Sequence, residues 1–234
     1  MNKPIKVESE VLEIKEIAPL TKHFKLSVPQ DFAFIPGQFI TVLINKSNEI
    51  LKRLYSIASQ PKDKGYIDLC LDYIENGVGS TFFFNLKKGD KINFLGPMGI
   101  FTIKNKDNNI VFIATGTGIA PFRSMINDLL ENNFNKNITL LLGIKHEDEI
   151  LYDNEWEALT KKHKNFEYYN IVSQPKDPTY SKNKGRVQVL VGNYIKDFNK
   201  DFYLCGVFDM IKETKELLEK RGVKKENIHF ERYN

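Results

Sequence analysis

Residues 110–122 read IVFIATGTGIAPF, an apolar strand that runs through a glycine-rich turn into a helix. Gly116 and Gly118 let the backbone approach a ligand closely, and the start of the helix offers free N–H groups and a partial positive charge to a pyrophosphate. Pro121 suits the first helical turn, where a missing N–H leaves no bond unmade. The spacing is not GxGxxG, so the usual dinucleotide fingerprint does not apply. The stretch predicts either a phosphate-binding loop or a plain strand-to-helix connection, which also favours glycine.

The rest of the second half repeats this alternation of strand and helix. Short apolar runs predict five strands, and apolar residues three or four positions apart predict the helices between them. This order predicts β-α-β units and one parallel sheet with helices on both faces. The predicted strands are residues 110–114, 138–142, 166–172, 202–204 and 228–230, and the predicted helices follow Gly118 and cover residues 155–162, 187–194 and 210–221.

The first hundred or so residues instead show short strands separated by turn sequences such as Pro36-Gly37 and Gly96-Pro97. Many short strands in so small a segment predict a closed antiparallel barrel with one short helix, residues 80–86. The polar residues 104–109 predict a linker, so we expect a first domain of residues 1–105 and a second of residues 106–234. The predicted barrel strands are residues 7–17, 21–28, 38–44, 66–74 and 91–95.

The composition argues against several functional classes. The chain has 34 Lys and Arg against 30 Asp and Glu, and the resulting net charge of +4 does not indicate a nucleic-acid-binding protein. Cys70 and Cys205 are too few for a four-cysteine iron–sulfur centre, and the histidines show no zinc spacing, so we expect no metal site. The N-terminus is too polar for a signal peptide, and no apolar run approaches the ~20 residues of a membrane span. We therefore expect a protein of the reducing cytoplasm.

Arg53-Leu54-Tyr55-Ser56 is a second candidate segment. Arg53 and Tyr55 share one face of a strand, while Ser56 points the other way or ends the strand. A forked donor, a flat ring and a hydroxyl together suit a flavin. The same pattern also fits an amphipathic edge strand.

Two further segments each have a functional and a structural interpretation. Gly77-Val78-Gly79-Ser80-Thr81 predicts a second phosphate-binding helix start, or simply a helix capped by a hydroxyl. Cys205-Gly206 ends the fourth parallel strand, at the edge where open α/β sheets bind ligands. A lone cysteine there is more often an inert core residue.

The order of these motifs resembles that of the ferredoxin–NADP⁺ reductase superfamily over essentially the whole chain. The same pattern includes Gly96-Pro97-x-Gly99-x-Phe101, which lies between the motifs, and Met210, four residues after Gly206. The resemblance implies a Greek-key β-barrel that binds FAD and a Rossmann-like domain, with a five-stranded parallel sheet, that binds NADH or NADPH. It also implies hydride transfer between nicotinamide and flavin, followed by single electrons passed to a ferredoxin or flavodoxin, for which we expect an acidic protein. The reductase component of an oxygenase, a free-flavin or ferric reductase, and a non-catalytic flavin- or nucleotide-binding subunit remain alternatives, and FMN remains an alternative to FAD.

The resemblance also implies residue roles. Ser56, Cys205 and Glu231 would be the catalytic residues, with Ser56 near flavin N5, Cys205 beside the nicotinamide and Glu231 as a carboxylate near the C-terminus. The cofactor-binding residues would include Arg53 on the flavin phosphate, Tyr55 stacked on the flavin, and Ser56. They would also include the helix start Gly79, Ser80 and Thr81, the nucleotide loop Thr115, Gly116, Thr117, Gly118 and Pro121, and Ser173, Arg186, Cys205, Gly206 and Tyr233.

The sequence gives opposing indications about the choice between NADH and NADPH. Ser173 is followed by Gln174, where NADP-specific relatives tend to carry arginine, and the acids 147–149 follow the preceding strand. These features favour NADH, whereas Arg186, and Lys145 to a lesser degree, would favour the 2′-phosphate of NADPH.

Tyr233 is two residues after Glu231, as in relatives whose last aromatic residue covers the flavin, but Asn234 follows it. Stacking on the flavin and surface packing are both open for Tyr233.

Overall fold

The computed structural model describes residues 3–46 and 49–233. The chain divides into two compact units. The first contains Met1–Ile103 together with Ala120–Asp128, and the second contains Lys104–Ile119 and Leu129–Asn234. Met1 and Asn234, the ends of the two predicted domains, lie outside the described residues.

The first unit contains one six-stranded antiparallel sheet. The strand order is β4-β3-β6-β1-β2-β5, and β4 and β5, at the two ends of that order, also lie in contact. This closure confirms the predicted antiparallel barrel. The strands are β1 Ile5–Ala18, β2 Thr21–Ser27, β3 Phe39–Lys46, β4 Glu49–Ser56, β5 Tyr66–Asp72 and β6 Lys91–Met98.

Alternating apolar residues fill the barrel, because every second side chain of a strand faces inward. Phe24, Ile40, Val42 and Phe94 are fully buried there. Helix α1, Val78–Asn85, packs Phe83 against this core, with the ring of Phe83 5.0 Å from that of Phe24.

The second unit is built on a five-stranded parallel sheet in the order β11-β10-β7-β8-β9. Its strands are β7 Ile110–Thr115, β8 Ile138–Ile144, β9 Phe166–Val172, β10 Asp201–Gly206 and β11 Ile228–Arg232. The helices of the second half are α2 Ala120–Glu131, α3 Asp153–Lys162, α4 Val187–Tyr194 and α5 Phe208–Lys220. The predicted parallel sheet and its helices are confirmed.

Helices cover both faces of this sheet. On one face, α4 and α5 share a buried cluster with Ile113 of β7 and Leu204 of β10. On the other face, Trp156 of α3 packs its ring 6.3 Å from that of Phe166. Both faces are therefore buried, which explains why β7, β8 and β10 read as continuous apolar runs rather than as alternating ones.

The glycine-rich loop differs from the expectation in one respect. Residues Gly116–Ile119 form a single turn of 3₁₀ helix, and α2 begins only at Ala120. Gly116 adopts φ +53°, a left-handed conformation that glycine reaches without strain, and the tighter turn precedes the α-helix. No helix among the described residues is both long and apolar enough to cross a membrane.

Candidate functional site

Arg53, Tyr55 and Ser56 lie at the end of β4, paired with β3. Arg53 is exposed, Tyr55 is half-buried and Ser56 is buried. The edge of the Tyr55 ring packs against Phe83, with centroids 4.8 Å apart. Burial raises the pKa of Tyr55 to about 12, although the charge of Arg53 opposes the rise. The phenol is therefore neutral over the physiological pH range.

Gly79 joins the first two motifs. A Cβ atom at this position would overlap the Tyr55 hydroxyl and stand 3.2 Å from Cγ of Arg53. Only glycine lets the start of α1 lie this close to β4. The structure thus brings Arg53, Tyr55 and the beginning of α1 into one small area of the barrel, with Arg53 and Tyr55 on the same face as predicted.

Ser80 does not cap α1, so this alternative is wrong. The capping position is Gly77, and no side chain bonds the N–H groups there. The Ser80 hydroxyl instead donates to the carbonyl oxygens of Ile74 and Gly77, at 2.8 and 3.1 Å, and so holds the preceding turn on the helix. Thr81 is exposed, and its own N–H bonds Gly77 within the helix. The first N–H groups of α1 have no partner within the helix and point toward its start, where an anion binds favourably.

In the second unit, Gly118 brings the loop after β7 against the end of β10. A Cβ atom on Gly118 would overlap the carbonyl oxygen of Cys205 and stand 2.9 Å from Cα of Gly206. The loop after β7 and the Cys205-Gly206 pair therefore lie side by side at the carboxyl edge of the sheet, where open α/β sheets bind ligands. Pro121, buried in the first turn of α2, follows the loop directly.

Gly206, at the end of β10, lies against Thr115 at the end of β7. It adopts φ +151°, and a Cβ atom there would overlap Oγ1 of Thr115 and stand 2.9 Å from Cε of Met210. That Thr115 hydroxyl is buried and has no hydrogen-bond partner among the described residues. A buried hydroxyl without a partner is costly, so this one is available to a ligand at the loop.

Cys205, Glu231 and Tyr233 form a cluster at the ends of β10 and β11. Cys205 lies directly opposite Glu231 on the paired strand, and the Tyr233 N–H donates to the carbonyl of Gly206 at 2.9 Å. Burial and the charge of Glu231 raise the pKa of the Cys205 thiol well above its usual value, although a hydrogen bond with the Tyr233 side chain opposes this. The thiol is therefore protonated and uncharged at neutral pH. Tyr233 thus contacts Gly206 through its backbone and Cys205 through its side chain.

Ser173 lies where the ends of β8 and β9 meet. Its N–H and hydroxyl both donate to the carbonyl of Ile144, at 2.9 and 3.2 Å. The neighbouring acids bind the loop that follows. The Glu147 carboxylate accepts the N–H groups of Lys176 and Asp177, at 2.8 and 2.6 Å. A hydrogen bond from its own backbone N–H, and then these two bonds, lower its pKa. The segment of acids that favours NADH in the sequence thus also holds the loop after β9.

Arg186 stands exposed at the start of α4. Its Nη1 donates to both carboxylate oxygens of Glu213 on α5, at 2.8 and 3.0 Å. Gln188 donates to the same carboxylate at 3.2 Å. Sequence reasoning missed Glu213, because a partner 27 residues away on another helix leaves no local signal.

The two units thus present different sets of groups. The barrel offers an exposed arginine, a neutral phenol and an uncapped helix start, which fit the phosphate and ring of a flavin. The parallel sheet offers a glycine loop, an unpartnered buried hydroxyl and a neutral thiol, which fit a nicotinamide nucleotide. No cluster of three or more metal-binding side chains occurs among residues 3–46 and 49–233.

Comparison with known proteins agrees with this division. Residues 8–103 match the family model of the oxidoreductase FAD-binding domain, and residues 112–216 match that of the oxidoreductase NAD-binding domain. The chain is 28% identical over 238 residues to ferredoxin–NADP reductase B of Sorangium cellulosum, covering 97% of both chains. It is 31% identical over 231 residues to the phenol hydroxylase P5 protein of Acinetobacter pittii, covering 97% of this chain and 65% of that protein.

Other curated relatives are also longer proteins, of which the chain spans about half to two thirds. Among solved structures, ferredoxin–NADP⁺ reductase from Plasmodium falciparum with 2′P-AMP superposes with a TM-score of 0.81 at 26% identity, over 98% of this chain and 96% of that one. With its FAD-binding barrel and NAD-binding parallel sheet, the chain belongs to the ferredoxin–NADP⁺ reductase superfamily of flavin-dependent oxidoreductases.

Proposed function

We propose that this chain is a reductase that takes electrons from NADH by way of FAD and passes them singly to a separate electron-carrier protein. The observation that carries the proposal is the fit of Gly118 against Cys205, which supports a nucleotide whose phosphate binds the loop while its ring lies beside the thiol. When bound, FAD and the nicotinamide supply hydride transfer between nicotinamide C4 and flavin N5 and release of electrons one at a time. The domains we assign are residues 1–105 for FAD and residues 106–234 for the nucleotide.

The barrel residues would hold the flavin. Arg53 supplies forked donors for its phosphate, and the first N–H groups of α1, from Gly79 and Ser80, add a partial positive charge. Tyr55 offers a neutral ring face for stacking. Ser56, buried at the end of β4, supplies the hydroxyl that we assign to flavin N5. FAD suits this arrangement better than FMN because the matched domain model is an FAD-binding one.

The residues of the second unit would hold the nucleotide. Thr115 to Gly118 present backbone N–H groups and a free buried hydroxyl to its phosphates. Cys205 would contribute a small, uncharged side chain that excludes water beside the nicotinamide. Glu231, opposite Cys205, places a carboxylate at this edge, which would favour the positively charged oxidised nicotinamide ring.

We assign NADH as the preferred nucleotide because two basic side chains of this unit are already paired with carboxylates. Arg186 is bound by Glu213, and Lys176 donates to both oxygens of Asp148, at 3.0 and 2.8 Å. A 2′-phosphate would have to replace these carboxylates to gain a charge-assisted contact from Arg186 or Lys176, which is otherwise worth roughly 1.5–3 kcal/mol. NADH requires no such exchange.

The electron acceptor we propose is an acidic ferredoxin or flavodoxin. The relative from Sorangium cellulosum, which the chain matches over 97% of both lengths, is called a ferredoxin–NADP reductase. The net charge of +4 favours an acidic protein, because opposite charges speed association. With two cysteines, this chain cannot hold a four-cysteine iron–sulfur centre of its own.

Purification followed by anaerobic titration tests the proposal. We expect a yellow protein that bleaches with NADH, more slowly with NADPH, and that reduces an acidic [2Fe–2S] ferredoxin or a flavodoxin at steady state. A hundredfold preference for NADPH would refute the nucleotide choice. Protein that stays oxidised under an excess of both nucleotides would refute the function and support a non-catalytic subunit.

A second candidate is the reductase component of an oxygenase. It is favoured by the 31% identity to the phenol hydroxylase P5 protein. The two functions differ in their acceptor. Electron transfer to an oxygenase component, with none to ferredoxin or flavodoxin, would favour the second.

A further inference from the structure

Helix α5 and strand β11 border an open groove of about 400 Å³ on the second unit. The rings of Phe208 and Phe230 line this groove and are 53% and 49% exposed. The ammonium of Lys215 lies 4.1 Å from the centre of the Phe230 ring. The guanidinium of Arg232 lies 5.6 Å from the centre of the Phe208 ring. Exposed aromatic rings rimmed by charged side chains are typical of a surface that binds another protein.

Strand β11 presents an open edge beside this groove. It is the last strand in the order of the sheet and pairs with β10. The N–H of Tyr233 donates to the carbonyl of Gly206 at the end of β10, and successive N–H groups of a strand point alternately to its two sides. The N–H and C=O groups of Phe230 and Arg232 therefore point away from β10, and they have no hydrogen-bond partner among the residues that the structure describes. Such an edge is a template for a further strand.

The face of α5 that borders the groove carries charges in a fixed order. Lys212 and Lys215 come first along the helix, and Glu216 and Glu219 follow them. Each lysine precedes a glutamate by four residues, an order that is less favourable within one helix than the reverse. None of the four side chains has an ion-pair partner in the described part of the chain. Their charges are therefore available to another molecule.

This order of charges is complementary to itself. When a second copy of α5 lies antiparallel to the first, Lys212 can face Glu219 of the second copy, and Lys215 can face Glu216 of the second copy. Both pairings are symmetric about one point, midway between Lys215 and Glu216, so a single twofold axis through that point allows all of them. Lys215 lies over Phe230, which is the middle residue of β11, so this axis is level with the centre of the strand.

The same axis would pair β11 with its own copy. In an antiparallel pair centred on Phe230, the outward N–H and C=O groups of the two Phe230 residues bond each other, and Arg232 lies opposite Ile228. Directly opposite residues of antiparallel strands have their side chains on the same face, so the two Phe230 rings meet on the face that α5 covers. The main chain of β11 and the charges of α5 thus place the twofold axis at the same level.

We propose that the groove between α5 and β11 binds a second copy of this chain, in a twofold-symmetric dimer that joins two parallel sheets through antiparallel β11 strands. An acidic electron carrier fits this groove less well, because Glu216 and Glu219 would repel it. One strand and one helix from each copy form a small interface, so we expect a dimer that dissociates at micromolar concentrations. The inference goes beyond the proposed reductase activity and does not depend on it.

Exchanging the charges of one pair tests the dimer in the purified holoenzyme. Sedimentation velocity at loading concentrations from about 1 to about 200 µM measures the dissociation constant of the wild-type dimer. Lys212→Glu should raise this constant about tenfold or more, because like charges then face each other at two places, and Glu219→Lys should do the same. The double variant Lys212→Glu/Glu219→Lys restores opposite charges and should return the constant to within about threefold of the wild type. The control is Lys161→Glu, at an exposed lysine of α3 outside the groove, which should leave the constant unchanged.

Amide hydrogen exchange, resolved residue by residue, supplies a second measurement. The N–H groups of Phe230 and Arg232 should exchange at least about tenfold more slowly in the dimer than in the diluted monomer, whereas that of Glu231, which points to β10, should be protected in both. A wild-type protein that is monomeric at all these concentrations overturns the inference. So does a dimer that Lys212→Glu leaves unchanged or that the double variant fails to restore. A monomeric wild type in which Lys212→Glu slows reduction of ferredoxin also overturns it and assigns the groove to the electron carrier.

Discussion

Arg186 donates to both carboxylate oxygens of Glu213, so the arginine best placed to bind an extra phosphate is already neutralised by a neighbouring helix. The pair is exposed, and such pairs contribute roughly 0.2–1 kcal/mol. Glu213 therefore biases the choice of nucleotide without preventing the use of NADPH.

Glu213→Gln should shift that choice toward NADPH. The variant frees Arg186 and removes a negative charge near it, so the ratio of kcat/KM for NADPH to that for NADH should rise about two- to fivefold. Glu216→Gln, on the same helix, serves as the control and should leave the ratio unchanged. An unchanged ratio in Glu213→Gln, measured by steady-state kinetics with both nucleotides, would remove Glu213 from nucleotide selection.

Gly118→Ala should damage the nucleotide site specifically. Its Cβ atom would overlap the carbonyl of Cys205, so the loop or the end of β10 must shift. We expect KM for NADH to rise about tenfold or more while the FAD content stays normal. The matched control is Gly192→Ala in α4, where an added Cβ meets nothing within 4 Å.

Gly192→Ala should itself stabilise the protein, by about 0.5–1 kcal/mol, because alanine is the better helix former. Equal kinetics for Gly118→Ala and Gly192→Ala would show that the loop tolerates the clash. Denaturant unfolding followed by circular dichroism measures the stability of both variants.

Ser56→Ala should slow the chemistry without emptying the flavin site. Losing one hydrogen bond of about 0.5–1.5 kcal/mol at the reacting centre corresponds to roughly a two- to tenfold slower flavin reduction. Ser56 is one of several groups at the site, so FAD should remain bound at full occupancy. Stopped-flow reduction at the wild-type rate would contradict the role we assign to this hydroxyl.

Cys205 should resist alkylation in the folded protein. Burial and Glu231 raise the pKa of its thiol, so the reactive thiolate is scarce at pH 8. Because the folded pKa exceeds the unfolded one, the folded state binds the proton more tightly, and this thiol lowers stability as pH rises above the unfolded thiol value of about 8.5. Mass spectrometry after iodoacetamide treatment at pH 8 should show Cys205 modified in guanidinium but not in native protein. Rapid modification of native Cys205 would mean that the thiol is exposed or ionised.

The order of the elements could be predicted from the sequence because it depends on local properties. The sequence predicts helix α4 at residues 187–194, where the structure has it, and the apolar runs of β7 and β8 are equally clear. The hydrogen-bond partners of individual side chains were harder to predict from the local sequence. Ser80 looked like a cap, but its hydroxyl turns back to the carbonyls of Ile74 and Gly77.

The amino-acid sequence by itself thus determined the two-domain architecture, the family and the segments that carry the site, because periodicity, turn residues and motif order are properties of neighbouring residues. Only the tertiary structure decided which of those segments touch. Gly79 meets Tyr55, Gly118 meets Cys205, and Arg186 binds Glu213. These contacts join residues far apart in the chain, and they depend on how strands and helices pack, which no local pattern encodes.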